Sequence, residues 1–190
     1  MKTRLTLSLL CLVLTVAGQT IINKSVAVQP GQKINMHFDY PELVRVSTWD
    51  KNEISITCTV SINNGENDDA FELETSTSGT VVDVRCQIRN MKNLPQRITI
   101  TRNGQKMMFR TKADYKKYAE ENGKDYSNMS WGIDMEITLE IKVPKNTATK
   151  VESVYGMVEI RDFSGPLIVD ATYGGVDAAL QETQVGELKA

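Results

Sequence analysis

The chain has 190 residues, which is enough for one domain with a small annex. Its 22 Lys and Arg residues nearly balance 24 Asp and Glu residues, and this weighs against a nucleic-acid-binding protein, which normally has a basic excess. With 41% hydrophobic residues, one His and three Cys, the composition predicts a packed core but little material for a zinc site or a His-based catalytic centre.

The first 18 residues have the organisation of a secretory signal peptide. Lys2 and Arg4 give a positively charged start, residues 5–16 are almost all apolar, and small residues end at Gly18. The apolar run is too short to span a membrane, which takes about 20 residues. We therefore predict that residues 1–18 are removed. Residues 19–190 are then a single exported β-rich domain without a transmembrane segment, in the periplasm, at the cell surface or secreted.

From residue 19 onward, polar and apolar residues alternate with a period of two, which is typical of half-buried strands. The clearest examples are residues 34–39, 54–62, 82–89 and 135–143. Turn signals separate these segments, and Asn103-Gly104 between two apolar stretches is a strong hairpin signal. The pattern predicts an all-β protein that begins with antiparallel strands.

One segment, at about residues 111–123, departs from the alternation. Thr111 and Asp114 have the spacing of a capping box, and Gly123 suits the end of a helix. Tyr115 and Tyr118 lie on one helical face. We predict a short helix inserted between two strands.

The last forty residues contain an internal repeat. Residues 151–158 align with residues 169–176 at an offset of 18, and Tyr155-Gly156 recurs as Tyr173-Gly174. Such a repeat is typical of stacked coils, so we predict a right-handed β-solenoid over about residues 136–190. The repeat stops where another coil would begin. This predicts an incomplete solenoid whose open edge allows self-association.

Several stretches resemble the adhesin-like β-helix family of bacterial envelope proteins, long catalogued as a domain of unknown function. They are Phe38-Asp39-Tyr40-Pro41, residues 49–53, residues 61–71, Val143-Pro144 and the two Tyr-Gly pairs. The resemblance covers about residues 33–190. It implies a secreted or periplasmic β-solenoid with no assigned reaction.

The sequence offers no constellation for catalysis. His37 is the only histidine, and its place on the polar face of a strand predicts a surface residue without a catalytic role. The oxygen-rich loop 63–69 does not match an EF-hand, so we interpret it as a polar hairpin tip rather than a calcium site. We predict no catalytic residues, no cofactor and no metal site.

Cys58 and Cys86 both fall on apolar strand faces. In an oxidising compartment they are a candidate disulfide pair. In a simple meander, however, a strand through Phe71 and Leu73 lies between their strands and holds them about 9.6 Å apart, beyond the Cα separation of about 7 Å that a disulfide tolerates. A disulfide and two buried thiols both remain open alternatives.

Candidate binding residues are the aromatics near predicted strand ends and in the inserted segment, because aromatic rings near loops can stack on sugars or partners. They are Trp49, Trp131, Tyr115, Tyr118 and Tyr126. The alternative is that they cap the hydrophobic interior. Basic residues concentrated between Arg85 and Lys117 form a candidate patch for an anionic envelope component if they share one side.

Together these features predict a non-catalytic exported envelope or surface protein, an adhesin-like module for recognition or structure. Its partner is an envelope component, either a glycan or a protein. One alternative is a periplasmic partner of a membrane signalling system. Another is a β-helix carbohydrate-active enzyme, which requires Arg161, Asp162, Asp170 and Asp177 to come together.

Overall fold

Alternating residues form strands along nearly the whole chain. The computed structural model describes the backbone of residues 13–16, 18–180 and 185–189. The first strands are β1 (Val13–Val16), β2 (Gln19–Ala27), β3 (Lys33–Phe38), β4 (Leu43–Trp49), β5 (Glu53–Ile62), β6 (Phe71–Ser78) and β7 (Val81–Ile88). The remaining strands are β8 (Arg97–Arg102), β9 (Gln105–Phe109), β10 (Asn128–Gly132), β11 (Met135–Pro144), β12 (Thr149–Phe163), β13 (Leu167–Leu180) and β14 (Val185–Lys189). Short 3-10 turns occur at Asp68–Ala70 and Met91–Asn93. The prediction of an all-β protein with one short helix is confirmed.

The helix α1 spans Lys112–Asn122 and begins with the predicted capping box. The backbone N–H of Asp114 donates to the Thr111 hydroxyl at 3.1 Å, and the Thr111 N–H donates to the Asp114 carboxylate at 3.0 Å. At the other end, the N–H of Gly123 donates to the Ala119 carbonyl at 3.0 Å. Among the residues that the structure describes, no helix is long and apolar enough to cross a membrane.

Eleven strands form one mixed sheet in the order β1-β2-β5-β11-β4-β12-β3-β7-β6, and β13 and β14 continue outward from β12. Lys24 of β2 donates to the carbonyl of Leu73 in β6 at 2.9 Å, so the two ends of the path approach each other and the sheet nearly closes around its core. Inward residues of nearly every strand meet there, and Phe38, Leu139 and Phe163 are fully buried. Strands β10-β8-β9 form a separate three-stranded sheet.

The longest strand, β12, is the spine of the parallel part of the sheet. On one side it pairs in parallel with β13 at an offset of 18, which places Tyr155 beside Tyr173 and Gly156 beside Gly174. On its other side it pairs first with β3 and then with β4, both in parallel. The repeat found in the sequence is therefore the register of two neighbouring strands.

The sheet is not clearly the right-handed solenoid that was predicted over about residues 136–190. β11 pairs in parallel with β4 but antiparallel with β5, so this strand belongs to a mixed sheet rather than to a uniform parallel stack. The N-terminal strands β3 and β4 also lie inside the parallel region instead of preceding it. Strand pairing of distant segments, which a local repeat does not encode, gives this arrangement.

Two predicted features fall at the ends of the chain. Residues 1–12 of the predicted signal peptide lie outside the described residues, and Val13–Val16 pairs antiparallel with β2. At the other end, β14 pairs with β13 only along Leu167–Asp170. In the part of the chain that the structure describes, no strand covers the same side of β13 from Ala171 onward, and self-association through this edge stays a prediction.

Candidate ligand-binding groove

Two rows of polar side chains cross the outer face of four neighbouring strands, β12, β3, β7 and β6. The face follows from the alternation, because Ile34, Met36 and Phe38 of β3 are buried and Asn35 and His37 therefore point outward. Strand register aligns the first row, here called the histidine row, as Glu152, His37, Arg85 and Glu74. It aligns the second, the asparagine row, as Lys150, Asn35, Asp83 and Ser76.

Both rows line one cavity of about 720 Å³, here called the outer groove. Lys24 also lines it, together with Leu73. Its size lies within the range of about 300–1,000 Å³ that is usual for small-ligand sites. Side chains held by β-sheet register are positioned more rigidly than side chains on loops, so this surface is preorganised.

His37 is the centre of a charged network in the groove. Its Nε2 lies 2.9 Å from the Asp39 carboxylate and its Nδ1 lies 3.5 Å from the Glu152 carboxylate. Lys150 donates to Glu152, and this hydrogen bond, assisted by His37, holds the pKa of Glu152 below its ordinary value. His37 is half-buried, and one of its partners comes from a strand 115 residues further along the chain.

Arg85 differs from two of the acidic residues that line the groove, Glu152 and Asp83. The carboxylate of Glu152 is engaged by Lys150 and His37, and that of Asp83 accepts a hydrogen bond from Asn35 at 3.4 Å. No described side chain pairs with the exposed Arg85 guanidinium, although Glu74 lies opposite it across the strand pair. The groove therefore presents an unneutralised cation beside a set of bonded polar groups.

A second feature of the outer face is a ladder of three tyrosines. Tyr40 stacks on Tyr155 with ring centroids 5.3 Å apart and an interplanar angle of 10°, and Tyr155 stacks on Tyr173 at 5.3 Å and 21°. Tyr173 is 68% exposed. The repeated Tyr-Gly pair is visible in the sequence, whereas Tyr40 is followed by Pro41 and lies outside that repeat, although it also precedes a chain corner.

Glycine is required beside the ladder. A Cβ at Gly174 would lie 1.7 Å from the carbonyl oxygen of Gly156, and a Cβ at Gly156 would lie 2.1 Å from that of Pro41. The backbones of these neighbouring segments therefore touch at the glycines, where the side chain of any other residue would hold them apart. This close approach fixes the spacing at which the three rings stack.

The five candidate binding aromatics do not come together. Trp49 ends β4, and its indole N–H donates to the Glu53 carbonyl at 2.7 Å. Trp131, Tyr115, Tyr118 and Tyr126 belong instead to the region of α1 and the small sheet, where the Tyr115 and Tyr126 hydroxyls lie 3.0 Å apart.

The aromatics of the small sheet make contacts with one another and with nearby cations. Arg102 donates to the Tyr118 hydroxyl at 3.0 Å, and the rings of Tyr115 and Tyr118 both contact Phe109. Lys112 lies over the ring of Trp131 at 4.4 Å. Most of these side chains therefore hold α1 against the small sheet, while Trp131 stays 48% exposed.

Cys58 and Cys86 are both buried, free thiols. The predicted intervening strand was wrong: among the strands that the structure describes, β6, which carries Phe71 and Leu73, pairs only with β7 and lies at the end of the sheet order rather than between β5 and β7. Burial raises the pKa of Cys58 far above its ordinary value and that of Cys86 to about 12. Neither thiol carries thiolate character at neutral pH.

The loop 63–69 contacts other segments of the chain instead of projecting freely into solvent. Buried Asn63 donates to the Pro95 carbonyl at 2.9 Å, and Asp68 accepts from the N–H of Ile62 at 2.6 Å. Glu66 binds both Arg97 at 2.8 Å and Arg110, and these hydrogen bonds, led by that of Arg110, hold the pKa of Glu66 below its ordinary value. Among the described residues, no group of His, Cys, Asp and Glu is arranged to hold a metal ion.

The predicted basic patch is divided among local ion pairs. Besides the two arginines on Glu66, Lys106 binds Asp134 at 2.8 Å and Glu136, and these bonds outweigh the effect of burial and raise the pKa of Lys106. Arg89 binds Glu72 at 3.3 Å. Alternation and cross-strand pairing thus scatter these cations over several surfaces, and Arg85 alone of the run lines the groove.

The four residues of the enzyme alternative are not gathered into one site. Arg161 pairs with Asp177 at 2.5 Å. Asp170 lies opposite Glu152 in the strand register, and the Asp162 carbonyl accepts a hydrogen bond from Thr48 at 2.8 Å. A carboxylate pair flanking a substrate is not formed by these residues.

Comparisons with known proteins give one weak structural match. No protein-family model matches the chain, and no curated protein matches it. Among solved structures, the chain is similar to one described as a "putative cell adhesion protein" from Clostridium sporogenes ATCC 15579, at 12% sequence identity and a TM-score of 0.44. The match covers 82% of this chain and 59% of that chain, so this chain spans less than two thirds of the length of the other protein.

Proposed function

We propose that this chain is a non-catalytic exported protein of the cell envelope or surface, and that its outer groove recognises an envelope component. The observation that carries the proposal is the groove itself, a cavity of about 720 Å³ lined by two registered rows of polar side chains. Concave sites with fixed polar groups are the usual places for ligand recognition. Their side chains here are positioned by strand pairing rather than by loops.

Export is supported by the sequence of the first 18 residues. A charged start, a short apolar run and small residues before position 19 are the three parts of a secretory signal. Recognition at the cell envelope suits a protein that leaves the cytoplasm by this route.

A non-catalytic role is supported by the state of the groups that could act as base or nucleophile. Both ring nitrogens of His37 lie within 3.5 Å of carboxylates, so neither is directed at a Ser or Cys hydroxyl or thiol. Cys58 and Cys86 are buried, and burial raises the pKa of each thiol. The polar groups of the groove are suited to binding by hydrogen bonds and charge.

Export is tested by expressing the full-length chain in a bacterium, fractionating the cells and sequencing the N-terminus of the product. We expect the protein outside the cytoplasm, beginning at Gln19. Leu10→Arg, which interrupts the apolar run, should keep the protein inside with its first 18 residues attached. Cytoplasmic wild-type protein with an intact N-terminus would contradict export.

Recognition is tested by sedimentation of the purified protein with isolated envelope fragments. Asn35→Trp fills the groove from its centre, while Lys142→Trp places the same ring on the exposed face of β11, outside the groove. We expect Asn35→Trp to abolish co-sedimentation and Lys142→Trp to preserve it. Equal binding by both variants would overturn the role of the groove, and turnover of envelope polysaccharide by the wild type would overturn the non-catalytic assignment.

A further inference from the structure

We propose that the ligand of the outer groove is an acidic polysaccharide, whose carboxylate groups bind Arg85 and whose hydroxyl groups bind the polar side chains around it. The inference rests on the proposed function and specifies the ligand class. Arg85 is the one cation in the histidine row that the described part of the protein leaves without a partner.

Charge accounting selects an anionic group at Arg85. Lys150 and His37 already contact the Glu152 carboxylate, so these two side chains are engaged within the protein. Arg85 is exposed and lines the groove with no described side chain paired to it. A guanidinium binds carboxylates in a planar, two-pronged geometry that a lysine ammonium does not reproduce. A carboxylate of the ligand is the chemical match for this position.

The remaining charges exclude a densely anionic ligand. Glu74, Asp83 and Glu152 also line the groove and would repel closely spaced phosphates or sulfates. The formal net charge of −2 for the whole chain acts in the same direction. A ligand with isolated carboxylates separated by neutral groups avoids this repulsion. Polysaccharides in which uronic acids alternate with neutral sugars have this distribution of charge.

The neutral part of the ligand must both donate and accept hydrogen bonds. Around Arg85 the carboxylates of Asp83 and Glu74 can accept hydrogen bonds. The Asn35 amide can donate a hydrogen bond, and the Ser76 hydroxyl can both donate and accept. Sugar hydroxyls are likewise donors and acceptors. Because Asn35 is already bonded to Asp83, part of the ordering of these side chains has occurred before the ligand arrives.

A sugar fits the groove better than an extended peptide does. Peptides commonly bind by adding a strand to a free sheet edge or by placing apolar anchors in pockets. Here β12, β3 and β7 are each paired on both sides, so their backbone groups are used within the sheet. The rows offer polar side chains instead of apolar pockets. Recognition of a protein partner by the same surface is an outcome that the experiment distinguishes.

The experiment measures binding of the purified protein to hyaluronan, an acidic polymer in which a uronic acid alternates with a neutral sugar, and to dextran, a neutral polymer, by titration calorimetry. We expect binding to hyaluronan that weakens with added salt, and at least tenfold weaker binding to dextran. Arg85→Gln should weaken hyaluronan binding by about tenfold or more, the usual scale for one charge-assisted contact. Arg85→Lys should weaken it by less. Circular dichroism checks that each variant is folded.

The matched control is Arg89→Gln, which removes a cation close to the end of the same strand but outside the groove. We expect it to bind hyaluronan as the wild type does. Equal affinity of wild type and Arg85→Gln, or equal affinity for the two polymers, would overturn the inference. So would envelope binding that depends on the groove, is destroyed by protease treatment of the envelope and survives digestion of its polysaccharides. In that last case the groove would still be a recognition site, and only the proposed ligand class would be wrong.

Discussion

The tyrosine ladder and the aromatic cluster around α1 are built in different ways. In the ladder, three rings repeat at one spacing with interplanar angles of 10° and 21°, and backbone contact at glycines sets that spacing. In the cluster, the ring of Phe109 meets its neighbours at 70° and 47°, and hydrogen bonds of tyrosine hydroxyls and one cation–π contact hold the unit together. Parallel register produces an ordered surface from a short repeat, whereas the antiparallel unit depends on individually placed side chains. Substitutions should therefore act more strongly in the ladder.

The largest loss of stability is expected where the backbones of Gly156 and Gly174 touch. Gly174→Ala would place a Cβ 1.7 Å from the Gly156 carbonyl oxygen, and both backbones are held by strand pairing, so we expect a loss of about 4 kcal/mol in the free energy of unfolding. Gly132→Ala, in β10 of the small sheet, meets nothing within 4 Å and should be neutral or slightly stabilising. Urea denaturation measures both. Similar midpoints for the two variants would show that the backbone of Gly156 does not approach Gly174 this closely.

The next largest loss of stability distinguishes Tyr155 from Tyr173 in the tyrosine ladder. Tyr155 stacks on two rings and Tyr173 on one, so Tyr155→Ala should cost about 2 kcal/mol and Tyr173→Ala about 1 kcal/mol in stability. Tyr155→Phe keeps both stacking contacts and serves as the control, with stability close to that of the wild type. Equal losses for the two alanine variants would mean that stacking does not order the rings.

Local patterns predicted the parts of this fold that depend on neighbouring residues. The alternation gave the strands, Thr111 and Asp114 gave the start of α1, and the repeat at an offset of 18 gave the register of β12 with β13. Each of these signals is contained in a short stretch of chain. Pairing of β11 with both β5 and β4 is not, because it depends on which distant strands compete for its two edges.

The same limit applied to the candidate site. Glu152 and Arg85 lie beside His37 only through strand register, which the sequence around His37 does not reveal. Conversely, Tyr115, Tyr118 and Tyr126 looked like binding residues because aromatics in an inserted segment resemble a recognition loop, whereas most of their contacts are internal. Once the register of β3 with β7 and β12 is known, the period of two is sufficient to find both rows of the groove.

A smaller effect is expected at the start of α1. Thr111→Ala removes the hydroxyl that accepts from the Asp114 N–H and should cost about 1 kcal/mol, the usual value for an N-cap. Thr111→Ser keeps the acceptor and should restore most of the loss. Thermal unfolding followed by circular dichroism measures both. A Ser variant as unstable as the Ala variant would show that the methyl group of Thr111, and not the cap, stabilises the helix.

The smallest effect concerns the ion pairs that join the small sheet to loop 63–69. Because Arg110 and Arg97 hold the pKa of Glu66 below its ordinary value of 4.5, the folded state binds the Glu66 proton less tightly than the unfolded state does. The stabilisation is therefore complete above pH 4.5 and is lost as the pH falls through the lower, folded-state value. Hydrogen exchange at the amides of β9 should show this as a loss of protection in acid.

Glu66→Gln isolates that contribution from the other carboxylates that titrate in the same range. The variant should exchange faster than the wild type at neutral pH, because Arg97, whose side chain is only 9% exposed, loses its anionic partner. The difference between the two proteins should then shrink as the pH falls below 4.5, since protonation neutralises Glu66 in the wild type as well. A difference that stays constant down to low pH would place the role of Glu66 in packing rather than in charge.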